Sequence, residues 1–332
     1  MHRFVPLFPF LVAIAAASEP LPLALVLSGG GAKGAYEVGV WQVLEEEGIA
    51  PRVTAISGTS VGAINAALFA TRPEAAETLW LENMGDVFIL STNRIGKSIQ
   101  KTVDTISNSV EVGKETGEAW KGIVHFALST ALRVADDAVG ATMTDAEREG
   151  FIDSSRLAEV LAKSLPVEWP ASAPEVYATA TEKNTWTAKT WRINDEPQNR
   201  RVLILRASAA IPEGFDTVKI DGKTYVDGGW ESRGGDNVPL EPILERHPEI
   251  KTAMIVYLDD EKHLNKNRFA KNRALAAAAG VHLVEIVPSE NIGGAFDGWQ
   301  GVFDASPETA RHLIELGRSD ARKKLKAAGL AN

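Results

Sequence analysis

Short apolar runs alternate along this chain with stretches whose apolar residues recur at helical spacing, a pattern that predicts strands and helices in turn. Residues 23–27 are apolar throughout, too few for a helix and bounded by Pro22 and Gly29, so they read as a buried strand. Tyr36, Val40, Val43 and Leu44 then repeat at helical intervals until Gly48 and Pro51 supply the stop. Residues 53–57 form a second short strand. Residues 63–70 are apolar on every side except at Asn65, the mark of a fully buried helix. Pro73 opens a further helix through Trp80 and Leu81.

The texture changes between about residues 86 and 150, where Ser, Thr, Asn and Lys dilute scattered Val and Ile. This segment reads as a mostly helical insertion, either a cap over a site or a plain surface excursion. Periodicity returns over residues 155–165, a helix ended by Pro166. Residues 176–181 and 187–193 pair as a hairpin around Lys183-Asn184, and residues 217–220 and 223–226 flank Asp221-Gly222, the strongest short hairpin signal. Residues 202–210 fit helix and strand equally. Residues 252–258 and 281–287 read as buried strands on either side of a helix over 267–279. A helix over 307–325 follows, its basic half (Arg318, Arg322, Lys323, Lys324, Lys326) complementing the helix dipole and reading as a solvated face rather than a membrane contact. No internal repeat is visible. Strands and helices alternating around short turns predict an α/β fold, a three-layer α/β/α sandwich with a largely parallel central sheet.

Composition narrows this only slightly. With 332 residues, 45% hydrophobic and 24% charged, the chain has ordinary soluble composition and is long enough for one large domain or two small ones. A net charge of -9 without a prominent basic face argues against nucleic acid as a partner. The absence of cysteine excludes disulfides and thiolate metal sites. Residues 1–18 have a short basic start, an apolar middle and small residues before Ser18, which reads as a secretory signal peptide and predicts a secreted or periplasmic protein. The same residues read as a loosely docked apolar arm would leave it cytoplasmic. The run is too short for a stable transmembrane span.

Candidate chemistry clusters at the ends of the first two strands. Gly29-Gly30-Gly31-Ala32-Lys33-Gly34 joins the first strand to a helix, where unpaired backbone N–H groups favour an anion. Gly29, Gly31 and Gly34 satisfy G-x-G-x-x-G, so a dinucleotide pyrophosphate, and with it an oxidoreductase, is one candidate. That reading wants an acidic residue at the end of the next strand, and Ser57-Gly58-Thr59-Ser60 stands there instead. A P-loop fails because Lys33 precedes the last glycine. Gly58-Thr59-Ser60-Val61-Gly62, between a strand and a buried helix, has the form of a nucleophile elbow that exposes the Ser60 hydroxyl. The plain alternative is a helix N-cap at Thr59 or Ser60. The second candidate anion is then an alkoxide formed at Ser60, held by the N–H groups of Gly30 and Gly31.

A nucleophilic serine needs a base. The histidines are His2, His125, His247, His263, His282 and His312, and none falls at an evident strand end. Asp227 does, followed by Gly228 and Gly229, and partial desolvation would raise its basicity. Alone, Asp-Gly-Gly is also a simple turn.

Taken in order, the glycine loop, Gly58-Thr59-Ser60-Val61-Gly62 and Asp227-Gly228-Gly229 resemble the patatin-like phospholipase family. Ala207-Ser208-Ala209-Ala210-Ile211-Pro212, Phe215 and Asn237-Val238-Pro239 extend the resemblance, which covers residues 23–260 outside the insertion. It implies a single hydrolase domain over 19–332 that cleaves fatty acyl esters of lipids at a membrane or micelle surface, without metal or other cofactor. Ser60 would be the nucleophile, Asp227 its base and Gly29 to Gly31 the oxyanion hole. Gly34, Gly58, Gly62, Gly228 and Gly229 would support them. Lys33 would hold the loop, meet a phosphate headgroup or simply be solvated. A catalytically silent lipid-binding protein stays open, and no protein partner is indicated. The chain departs from the family pattern at residues 230–236, where Arg233-Gly234-Gly235 lengthens the path from Asp227 to Asn237.

Overall fold

β1 (Leu23–Leu27) lies in the middle of one sheet, and its burial on both faces explains its unbroken apolar sequence. Leu23, Leu25 and Leu27 pack into one core, whereas Ala24 and Val26 face a second core on the opposite side. The computed structural model describes residues 21–87, 152, 154–212, 214–263, 265–293, 302 and 304–331. The expected signal peptide, residues 1–18, lies outside the described residues, as do residues 88–150 of the expected insertion.

On one side β1 pairs in parallel with β2 (Val53–Thr59), which pairs in parallel with β3 (Glu175–Glu182). On the other it pairs in parallel with β7 (Thr252–Val256), which pairs in parallel with β8 (His282–Ile286). β4 (Thr187–Arg192) and β6 (Lys223–Asp227) run antiparallel to β3, and β5 (Val218–Ile220) runs antiparallel to β6. The sheet is therefore parallel through its centre and antiparallel at one flank. Asp221 and Gly222 both take positive φ, 50° and 77°, as a two-residue hairpin turn of the expected kind requires.

Helices cover both faces. α1 (Ala35–Glu46), α2 (Val61–Thr71), α5 (Ser154–Ser164), α6 (Gln198–Ser208) and α9 (Pro307–Ala327) enclose the larger core, with the short α3 (Pro73–Thr78) and α4 (Met84–Val87) beside them. α7 (Glu241–Arg246) and α8 (Lys266–Ala279) cover the smaller one. This is the three-layer arrangement expected. α2 is buried all round, and its Asn65 is satisfied internally. Asn65 Nδ2 donates to Gly34 O at 2.9 Å and to Glu37 at 2.8 Å, and Asn65 Oδ1 accepts from Trp80 Nε1 at 2.9 Å. Burial pushes the Glu37 carboxyl well above its usual range.

The ambiguous run 202–210 belongs mostly to α6. Pro197 precedes this helix, and its buried Arg201, Ile204, Leu205 and Ser208 recur at helical spacing. In the basic half of α9, Arg318 and Arg322 both bond Glu46 of α1, at 2.6 and 2.8 Å, and Lys323 lies 3.9 Å from Asp320, so three of its five cations are paired within the fold. No described helix is long and apolar enough to cross a membrane.

Candidate active site

β3 explains how residues distant in sequence meet. Thr59, the last residue of β2, stands opposite Thr179, and Asp227, the last residue of β6, stands opposite Ala180. β4 occupies the other edge of β3, pairing with residues 177–182 throughout. Hence β2 and β6 share one edge and meet end to end, which brings Ser60 and Asp227 to the same point.

The turn carrying Ser60 is tight. A Cβ on Gly58 would lie 2.3 Å from the Gly62 carbonyl oxygen, and one on Gly62 would lie 2.5 Å from that of Leu27. Only glycine fits either position. Ser60 itself has φ 56° and ψ -127°, a conformation that L residues rarely adopt. It occupies the N-cap position of α2, but its side chain makes no capping bond, and Thr59 Oγ1 instead donates to Asp236 O at 2.7 Å. The N-cap alternative is thereby corrected: the hydroxyl is left free for the pocket.

Asp227 is 6% exposed. Its Oδ1 accepts the Gly229 N–H at 2.7 Å, so Asp-Gly-Gly is indeed a turn, while its buried Oδ2 has no hydrogen-bond partner among the described residues. Burial raises the carboxyl to about 6, against smaller lowering pulls from the Ser60 hydroxyl and the Gly229 N–H. The Ser60 hydroxyl thus lies close enough to influence Asp227 without completing a hydrogen bond. Such contacts commonly tighten only when substrate binds.

The glycine loop supplies donors beside the serine, with one correction. Gly29 N–H is committed to Asn237, bonding Oδ1 at 3.1 Å and the backbone oxygen at 3.2 Å, so it cannot serve an oxyanion. The N–H groups of Gly30 and Gly31 have no partner among the described residues. Gly34 ends the single turn that leads into α1. Lys33 is neither solvated nor open to a headgroup: it is 4% exposed, and its Nζ bonds Asp259 at 2.8 Å, which ties the loop to the segment after β7. Gly228 packs against Thr179 O at the junction of β2 and β6.

Two positioning residues escaped the sequence reading except as parts of a resemblance. Ser208 Oγ accepts Ser60 N–H at 2.8 Å and donates to Thr179 O at 2.5 Å, and its carbonyl accepts Gly228 N–H at 3.2 Å. One buried residue thus joins the turns bearing the serine and the aspartate, the first through its side chain and the second through its backbone carbonyl. Asn237 clamps the glycine loop, since its Nδ2 also donates to Gly29 O at 3.2 Å. Asn237→Ala is expected to lower kcat roughly 10- to 100-fold with little change in KM, because donors that drift lose transition-state stabilisation. Steady-state kinetics on a soluble ester would measure this. An unchanged kcat would dismiss the clamp.

Ser60, Asp227, Asn237 and Gly29 to Gly31 line a pocket of about 370 Å³, whose walls include Ile211, Pro212, Trp230 and Val302. No described histidine lines it. Beside Ser60, the apolar Ile64, Met84, Val87, Leu157 and Phe215 close around a space of only about 10 Å³. A larger groove of about 1020 Å³ lies along β8, α8 and α9, but it is lined mainly by charged side chains and contains neither Ser60 nor Asp227.

The profile of the patatin-like phospholipase family matches residues 25–244, which contain every residue of this pocket except Val302. The chain belongs to that family. Curated relatives match over shorter stretches. The human patatin-like phospholipase domain-containing protein 6 is 40% identical over 70 residues, 20% of this chain and 5% of that protein. A lysophospholipase of Aspergillus terreus is 54% identical over 48 residues, 14% of this chain and 3% of that one. Against these patatin-like relatives the chain therefore spans only a small fraction of their length. Among solved structures, VipD of Legionella pneumophila is 18% identical with a TM-score of 0.45, covering 93% of this chain and 67% of VipD. The human GIVD cytosolic phospholipase A2 is 10% identical with a TM-score of 0.45, covering 93% and 59%.

Proposed function

We propose that this patatin-like protein is a lipid acyl hydrolase of the phospholipase A or lysophospholipase type, working through a Ser60–Asp227 dyad. The observation that carries the reading is the meeting of Ser60, the unpartnered Oδ2 of Asp227 and the unpartnered N–H groups of Gly30 and Gly31 around one pocket. Ser60 Oγ attacks the ester carbonyl carbon as its proton passes to Asp227 Oδ2, and the resulting alkoxide accepts hydrogen bonds from Gly30 and Gly31. Collapse expels the alcohol, which takes the proton from Asp227, and leaves an acyl-enzyme. Water then gives a proton to Asp227 and attacks the acyl carbon. The second collapse releases the fatty acid and returns the proton to Ser60. The apolar Ile211, Pro212, Trp230 and Val302 around Ser60 suit the fatty part of a lipid ester, whereas a dinucleotide's ribose would find no carboxylate at the end of β2.

A fluorophosphonate probe tests the reading directly. It is expected to label wild type at Ser60 in a one-to-one ratio and to leave Ser60→Ala unlabelled, with peptide mass mapping locating the adduct. Changing His125, His247 and His282 together is expected to alter turnover less than about threefold, since a histidine triad member would cost several orders of magnitude. Label on another residue, or a collapse of activity in the histidine variant, refutes the dyad.

A further inference from the structure

Between Asp227 and Asn237 the chain builds a braced loop. The N–H groups of Arg233 and Gly235 both donate to the Trp230 carbonyl, at 3.0 and 3.1 Å. Arg268 donates to Glu231 from Nε at 2.5 Å and from Nη2 at 2.9 Å, and Asn265 donates to the same carboxylate at 2.8 Å. Lys271 holds Asp236 at 3.1 Å. Gly234, at φ 79°, approaches the β3–β4 turn so closely that a Cβ would lie 1.9 Å from the Trp186 carbonyl oxygen. The lengthened segment is therefore tied to α8 on one side and to a hairpin tip on the other.

What this bracing presents is an aromatic and cationic cluster that meets the pocket through Trp230. Trp186 and Trp230 meet edge to face with centroids 5.7 Å apart, and the Arg233 guanidinium lies over both rings, at 5.0 and 5.8 Å. Trp230 lines the same pocket as Ser60 and Asp227. Arg233 is exposed and forms no ion pair among the described residues. Cation–π contact with two indoles holds the guanidinium in place without engaging its N–H donors, which suits contact with a phosphate. Lys33 cannot take that role, being buried against Asp259.

We infer that Arg233, held on Trp186 and Trp230, binds the phosphate of a phosphodiester headgroup and so favours phospholipids over neutral glycerides. The inference rests on the acyl hydrolase reading and names the substrate class of that site. The ligand has an anionic part at Arg233 and an apolar part facing Ile211, Pro212 and Val302, which a free phosphate lacks.

A matched pair of monomeric substrates tests it: 1-oleoyl lysophosphatidylglycerol and 1-oleoylglycerol, which share the acyl ester and differ in the phosphate-bearing headgroup. Arg233→Ala is expected to raise KM about five- to tenfold for the phospholipid, leaving its kcat and both constants for the glyceride within about twofold. Arg233→Lys should recover little, since an ammonium does not reproduce the fork. Equal losses on both substrates, or none on either, overturn the assignment. Calorimetric binding of the same two lipids in the Ser60→Ala background reads the headgroup preference without turnover. A preference there that Arg233→Ala abolishes, in a protein whose wild type hydrolyses neither lipid, overturns the hydrolase reading and sustains the phosphate site. Turnover of both lipids with no preference in either assay does the reverse.

Discussion

Ser60→Ala is expected to lower ester hydrolysis roughly 10⁴-fold or more while leaving the fold unchanged. The loss is large because no second nucleophile stands ready: among the described residues, the others lining the pocket carry no hydroxyl or thiol, and the chain has no cysteine. The fold should survive because Ser60 holds the elbow through its backbone. Its N–H donates to Ser208 Oγ, and its carbonyl accepts from Ala63 and Ile64, at 3.0 and 3.3 Å. Alanine keeps all three bonds. It also keeps the strain of a non-glycine residue at φ 56°, which is worth on the order of 1–3 kcal/mol. Ser60→Gly removes that strain and gives back somewhat less through the freer unfolded chain, roughly 0.5–1 kcal/mol. Both variants should therefore be inactive, with the glycine variant at least as stable by denaturant titration. Turnover above about 1% of wild type in purified Ser60→Ala would end the nucleophile assignment.

The sheet, the two hairpins and the elbow were readable because each depends on local signals: apolar runs of strand length, Asp221-Gly222, and glycines flanking a serine between strand and helix. What brings Ser60 to Asp227 was not readable. It depends on β6 taking over one edge of β3 where β2 ends, at consecutive residues Thr179 and Ala180, and no pattern within either strand encodes which partner it finds. Ser208 and Asn237 were hidden for the same reason, since their bonds span 148 and 208 positions of chain. Gly29 shows the limit of the resemblance, which implied an oxyanion donor there: the neighbouring segment takes that N–H, and only the next two remain. Lys33 could not be decided from sequence either, because its partner Asp259 follows β7, far along the chain.

Asp227→Asn should separate stability from activity. At neutral pH the wild-type carboxyl is ionised although its surroundings favour the neutral form, with the native group raised to about 6 from 3.8. Between these values the native state binds the proton that the unfolded chain releases, so stability falls as pH rises through the window. Below pH 4 the difference disappears; above about 7 it is fully present, on the order of 2–3 kcal/mol. Asparagine carries no charge to bury, and its Oδ1 can still accept the Gly229 N–H. The variant is therefore expected to be more stable than wild type at pH 8 and nearly equal to it at pH 4, measured by chemical denaturation at both. Turnover moves the other way. An amide cannot take the Ser60 proton, and loss of a general base costs about 10²–10⁴-fold. For wild type, kcat/KM should rise with pH through about 6 as the free enzyme's Asp227 loses its proton. For Asp227→Asn that limb should vanish from what activity remains. A rising limb that persists near pH 6 in the variant would mean that another group supplies the base, whatever the size of the loss. A variant that loses activity and the limb yet gains stability only at high pH would tie both effects to one buried carboxylate, whose desolvation destabilises the fold and makes the group basic enough to work.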